Sequence, residues 1–108
     1  MEYWFAPLEG ITDSIYRRIH AEMFPGIGKY YIPFVSPSMH LCFTSRQQRE
    51  LAPEENRGVR VIPQILTKDA RQFLWMANAL AEAGYSEINL NLGCPSGTVT
   101  AKGKGSGM

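Results

Sequence analysis

Four short runs of apolar and β-favouring residues punctuate the chain: YWFAPL (Tyr3 to Leu8), KYYIPFVS (Lys29 to Ser36), VRVIPQIL (Val59 to Leu66) and SEINLNLG (Ser86 to Gly93). Segments with helical spacing separate them. Strands that alternate with helices join through right-handed βαβ crossovers into a parallel sheet, so an α/β fold with about four strands and about three helices is expected. An open doubly wound sheet suits a chain of 108 residues, whereas a closed eight-stranded barrel typically takes about 250. Length alone favours the open sheet.

The boundaries follow from local chemistry. Pro7 and Gly10 stop the first run, and Thr12 is the expected N-cap of a helix over DSIYRRIHAEMF. In that helix Ile15, Ile19 and Met23 share one face suited to pack on a sheet, before Pro25, Gly26 and Gly28 break it. Pro33 removes a ladder donor from the second run and implies an edge position or a bulge. TSRQQREL (Thr44 to Leu51) reads as a short helix ended by Pro53, with EENRG as a polar connection. The third run, interrupted by a proline, resembles a strand covered on both faces. TKDARQFLWMANALAEAG is the clearest helix: Thr67 is available as a cap and Asp69 sits near the positive end. Ala70, Phe73, Leu74, Ala77, Leu80 and Ala81 form its apolar face, and Gly84 supplies the stop.

The fourth run alternates, with Ile88, Leu90 and Leu92 on one face and Asn89 and Asn91 on the other. With helices outside the sheet the asparagines point inward, where an unpaired amide costs about 1 to 3 kcal/mol. A ligand could supply the partners. Ligands of parallel α/β folds bind at the carboxyl ends of the strands, and APLEG, Gln64 and NLGCPSG all fall at such ends.

Cys94 lies between Gly93 and Pro95. Cysteine is often a small core residue, yet the turn these neighbours enforce beside Asn91 presents the sulfur at a rim. On local physics both readings, packing and reagent, stay open. A free thiol, with a pKa of about 8.5, is mostly protonated at neutral pH and suits proton donation. A cysteine-protease reading needs a histidine base, and nothing places His20 or His40 near the sulfur. The histidines have no metal-ligand pattern, and Cys42 and Cys94 have no paired CxxC spacing, so no metal is expected and the thiols are expected to be reduced.

The stretch GTVTAKGKGSGM does not satisfy the phosphate-loop pattern, and its glycines at 103, 105 and 107 follow a loop rather than a strand. A flexible glycine-rich tail is the plainer reading, and contact of Lys102 and Lys104 with RNA phosphates is the other. A net charge of +1 announces neither nucleic acid nor membrane. No apolar run nears the roughly 18 residues of a membrane span and the start lacks a secretory pattern, so a cytoplasmic location is the default.

APLEGITD near the start, Gln64 in VIPQIL and above all NLNLGCPSGTVTAKGKGSGM resemble the flavin-dependent tRNA-dihydrouridine synthases. The NLGCP block with its lysine- and glycine-rich continuation is specific; APLEG is shared with other flavin barrels, and Leu8 stands where methionine is often seen. The resemblance covers the whole chain and implies the N-terminal half of a TIM (β/α)8 barrel, with FMN at the carboxyl ends of the strands and a helical tRNA-binding domain further on. That replaces the open sheet as the expectation. The resemblance further implies that Ala6, Pro7, Leu8 and Glu9 form the first flavin-contacting turn, that Gln64 reaches the isoalloxazine ring and that Asn91 contacts the target uracil. It makes Cys94 the general acid, protonating C5 while reduced FMN delivers hydride to C6, with NADPH as reductant. Lys102 and Lys104 become RNA contacts on an active-site loop.

Half a barrel leaves strand edges unpaired and excludes the usual phosphate site near strands seven and eight. The 108 residues alone are therefore expected to bind FMN poorly and not to turn over, needing the rest of the barrel or another chain to cover the edges. Two alternatives are an FMN barrel reductase of a free pyrimidine, against which GCPSG rather than SCPN argues, and a non-enzymatic half-barrel that binds RNA or a partner.

Overall fold

A computed structural model describes residues 1–108. Its strands are β1 (Tyr3–Phe5), β2 (Ile27–Tyr31), β3 (Val61–Ile62), β4 (Gln64–Ile65) and β5 (Asn89–Leu90). Its helices are α1 (Ser14–Met23), α2 (Ser45–Leu51), α3 (Ala70–Glu82) and α4 (Gly97–Thr100), with 3-10 turns at Pro53–Asn56 and Gly105–Gly107. No helix is long and apolar enough to cross a membrane.

All pairings are parallel. Phe5 lies opposite Tyr30, Tyr30 opposite Val61, and Gln64 opposite Asn89. The ladder divides formally into β1-β2-β3 and β4-β5 because Pro63 has no N–H to give. Backbone bonds run on past the break: Ile32 N–H to Ile62 O at 2.8 Å, Val35 N–H to Gln64 O at 2.8 Å, and Asn89 N–H to Pro63 O at 2.9 Å. The third run is thus one strand path interrupted at Pro63, and the spatial order of the four paths equals their order in the chain. A doubly wound sheet reverses its order at a switch point, so the open sheet favoured by length is not the fold. The arrangement is the N-terminal part of a TIM barrel.

Proline chemistry also moves the second strand. It begins at Ile27 and ends at Tyr31, and Val35 rejoins the ladder as an isolated bridge to Ile65 beyond Pro33. Because β2 lies between β1 and β3, the proline is accommodated by an interruption rather than by an edge position.

The helix caps are one or two residues from those expected. Asp13, not Thr12, caps α1, its Oδ1 accepting from Tyr16 N–H at 2.8 Å, while Thr12 is buried against the Leu8 turn. Asp69, not Thr67, caps α3 through Gln72 N–H at 2.9 Å. α2 carries a capping box, Thr44 with Gln47, which satisfies two orphan backbone donors reciprocally.

The core lies between the strands and the helices α2 and α3, built from Ile32, Val35, Leu51, Ile65, Met76 and Leu80. On α3, Met76 is buried although the expected apolar face did not include it, whereas Ala70, Leu74 and Ala81 of that face are exposed. On α1 the expected apolar face is not buried: Ile15, Ile19 and Met23 are 55%, 51% and 66% exposed, and Ser14 and Arg17 face inward instead. The cause is Arg17, only 1% exposed. Its Nη1 donates to Thr12 O at 2.8 Å and Glu50 Oε2 at 3.2 Å, and its Nη2 donates to Asn56 Oδ1 at 2.8 Å. Asn56 in turn donates to Glu50 O and Ala52 O, so one guanidinium ties α1 to α2 and the following turn. The accessible surface of 6830 Å² for 12.1 kDa exceeds the roughly 6000 Å² of a compact monomer of that mass, as an uncovered half-barrel should.

Candidate active site

A cleft of about 630 Å³ opens at the carboxyl ends of the strands. Among its walls are Pro7, Leu8 and Glu9 from the turn after β1, Gln64 from β4, and Asn91 and Cys94 beyond β5. Six residues singled out in the sequence thus meet at one rim. Ala6, Lys102 and Lys104 do not line the cleft. Pro33, Phe34 and Asn89 do line it; the signal for Asn89 was its place on the polar face of the fourth strand, whereas Phe34 carried none beyond its nearness to a strand end.

The Pro7 to Glu9 turn is braced from behind. Leu8 N–H donates to Thr12 Oγ1 at 2.9 Å, and Leu8 O accepts from the N–H groups of Ile11 and Thr12, each at 3.0 Å. The backbone of Leu8 at the centre of this turn is thus satisfied from behind.

Across the cleft, three amides form a directional row. Asn91 Oδ1 accepts from the backbone N–H groups of Gly93 and Cys94, both at 3.0 Å, which fixes which end of the amide is oxygen. Asn91 Nδ2 therefore donates to Gln64 Oε1 at 3.0 Å, and Gln64 Nε2 donates to Asn89 Oδ1 at 3.0 Å. The polar face of the fourth strand finds partners within the chain, so a ligand is not needed to satisfy it. Asn91 Oδ1 takes two donors and is fully spent, whereas Gln64 Oε1 and Asn89 Oδ1 each take one and keep a lone pair, beside the amide hydrogens the row leaves over. A ligand here meets amides that chiefly give, and at Gln64 and Asn89 can also accept, hydrogen bonds, and a wall of proline, leucine and phenylalanine.

Cys94 is half-buried and unbridged, and Cys42 is exposed elsewhere with its Sγ 3.3 Å from Ser38 Oγ. The glycine-rich stretch, expected on its plainer reading to be a flexible tail, folds back onto the thiol-bearing turn. Cys94 O accepts from Ser106 N–H at 3.0 Å and Ser106 Oγ at 3.1 Å. Gly105 is buried there with φ of +57°, a conformation costly for any residue with a Cβ.

Lys102 and Lys104 project from the same folded stretch, and Lys68 joins them from the carboxyl end of the third strand path. A Cβ at Gly103 would lie 3.4 Å from Lys68 Cδ, so the loop packs on that side chain. Burial holds the Lys104 ammonium below the usual lysine range, and the charges of Lys102 and Lys68 push the same way. Lys68 was missed in the sequence because it stands alone, separated by 34 positions from its neighbour Lys102.

His20 is structural: its Nδ1 lies 2.7 Å from Tyr30 Oη and its ring 4.4 Å from that of Phe5. No group of three or more His, Cys, Asp or Glu side chains is placed to hold a metal ion.

The family described as dihydrouridine synthase (Dus) matches residues 4–108. A probable tRNA-dihydrouridine synthase of Staphylococcus epidermidis is 28% identical over 114 residues, covering 95% of this chain and 32% of its own. The tRNA-dihydrouridine synthase B of Pasteurella multocida is 30% identical over 105 residues, covering 97% of this chain and 31% of its own. The chain spans about a third of the length of the curated relatives it matches.

Proposed function

The chain belongs to the dihydrouridine synthase family, and we propose that it forms the N-terminal half of an FMN-binding barrel domain that reduces uridine to 5,6-dihydrouridine in tRNA. The observation that carries this reading is the bond from Cys94 N–H to Asn91 Oδ1 at 3.0 Å, which joins a thiol to a donor-rich amide row on the wall of one cleft. In the complete protein the rest of the barrel and a helical tRNA-binding domain cover the open edges, and the reaction takes place in the cytoplasm.

The residues present fit a flavin. Leu8 and Phe34 offer apolar surface to a flat ring system, and the one unspent amide hydrogen of Gln64 suits a carbonyl oxygen of that ring system. Pro7, Leu8, Glu9 and Gln64 would hold it, with Ala6, outside the cleft, leading into their turn. Bound FMN supplies hydride chemistry at uracil C6, with NADPH as the outside reductant.

The chain's own residues do the rest. Asn91 donates an amide hydrogen to a uracil carbonyl, since its oxygen is already spent on Gly93 and Cys94. That contact orients a base which must leave its stack to reach the cleft. Cys94 holds a proton at Sγ and gives it to C5, a single general-acid step. Lys102, exposed, and Lys104, half-buried, lie on the stretch that folds back onto the Cys94 turn and meet RNA phosphates.

In a chain completed to its relatives' length, the test compares uridine in unmodified tRNA with free pyrimidines as electron acceptors from NADPH-reduced enzyme. Dihydrouridine in the tRNA is the expected product. Reduction of free bases alone would favour a different FMN barrel reductase, and the absence of any flavin-dependent reduction would favour a binding role.

A further inference from the structure

Asn91 holds Cys94 by its N–H; a second clamp holds the same residue by its carbonyl. Ser106, 12 positions later in the chain, directs both its N–H (3.0 Å) and its hydroxyl (3.1 Å) at Cys94 O. The two donors converge because Gly105 lets the backbone come in close: a Cβ there would stand 2.5 Å from Cys94 O and 3.0 Å from both Cys94 Cβ and Val99 Cγ1. No side chain larger than hydrogen fits at 105 without pushing the turn away. Val99 is buried under this contact, and Gly107 packs on the Thr100 backbone with the same closeness, so α4 and the following turn form one small unit seated on the cysteine.

We propose that Ser106, brought into range by Gly105, is a positioning residue for Cys94: it clamps the Cys94 carbonyl and so fixes the thiol at the wall of the cleft. Ser106 touches neither the reacting atoms nor the cleft and acts through Cys94 alone. Its significance for catalysis rests on the reading of Cys94 as the general acid. The clamp itself is a property of this chain that needs neither flavin nor RNA to measure.

The experiment uses the full 108-residue chain with Cys42→Ser, which leaves Cys94 as the one thiol, and follows its alkylation by iodoacetamide with mass spectrometry. Ser106→Ala removes one of the two donors and should speed alkylation about fivefold, and Gly105→Ala, which displaces both, should speed it by about tenfold or more. Ser106→Thr keeps a hydroxyl donor and should stay within about twofold of the parent. Thermal midpoints are measured alongside. The clamp is overturned if Ser106→Ala and Gly105→Ala both react at the parent rate, if Ser106→Thr reacts as fast as Ser106→Ala, or if the rates follow thermal midpoint rather than the hydroxyl. Dihydrouridine formation is a separate readout, taken in a chain completed to its relatives' length, so its failure there with the alkylation pattern intact would strike the functional reading and leave the clamp standing.

Discussion

The side-chain oxygen of Asn91 accepts the backbone N–H of Cys94 at 3.0 Å, so the thiol-bearing turn is held by the strand it leaves. The same oxygen takes Gly93 N–H, and the amide nitrogen reaches Gln64 on the neighbouring strand. Position of the thiol and alignment of two strands therefore depend on one amide.

Removing that amide should be felt in the fold. Asn91→Ala leaves Gly93 N–H, Cys94 N–H and Gln64 Oε1 without their partner, and a loss of about 1 to 3 kcal/mol is expected by urea unfolding. Asn91→Asp keeps the acceptor for both backbone donors and should lose less. Equal losses in the two variants would mean that the backbone bonds contribute little.

Arg17 sets a second prediction. Its guanidinium is buried, and desolvation pulls its pKa down while Glu50 pushes it back up. Glu50→Gln removes the one carboxylate that bridges to this charge and should destabilise by about 3 kcal/mol. Urea unfolding reads the loss, and a change under about 0.5 kcal/mol would show that the neutral partners Thr12 and Asn56 suffice.

Lys104 gives a pH-dependent effect with a definite sign. Its folded-state pKa is lowered, first by burial and then by Lys102 and Lys68, so the unfolded chain holds this proton more tightly. Stability from this group is complete above the ordinary lysine pKa of about 10.4 and is lost as pH falls through the lower folded value. Lys104→Gln should therefore raise the thermal midpoint at neutral pH, and its advantage should shrink as pH climbs toward the lysine range. An advantage that is constant with pH would assign the effect to packing instead.

Ile15, Ile19 and Met23 form an exposed stripe on α1, and the outer edge of β1 is unpaired. Such a surface drives self-association of the 108-residue chain. Replacing Ile15 and Ile19 by lysine should raise solubility and reduce the light-scattering mass while shifting the urea midpoint by less than the equivalent of about 0.5 kcal/mol. Unchanged association would place the sticky surface elsewhere.

The parallel α/β architecture and the polar inward face of the fourth strand were legible because both depend on periodicity along a continuous segment. The pairing of Gln64 with Asn89 and Asn91 was not, since it requires the register of two strands 25 residues apart. The rotation of α1 was misread for a related reason. Its apolar stripe predicts burial, but the hydrogen bonds that turn Arg17 inward come from Glu50 and Asn56, which local spacing does not bring near. The folded glycine-rich stretch was hidden because glycine-rich composition is shared by flexible linkers and by close backbone contacts, and only the proximity of Gly105 to Cys94 O separates the two.

The central claim is that the Cys94 thiol supplies the proton for uridine reduction, and the most direct measurement is dihydrouridine content of unmodified tRNA after incubation with flavin-loaded Cys94→Ala enzyme completed to its relatives' length. FMN is expected to stay bound by its absorption spectrum while dihydrouridine formation falls by at least about a hundredfold, the usual scale of a lost general acid. Dihydrouridine formation at the parent rate with flavin bound would contradict it.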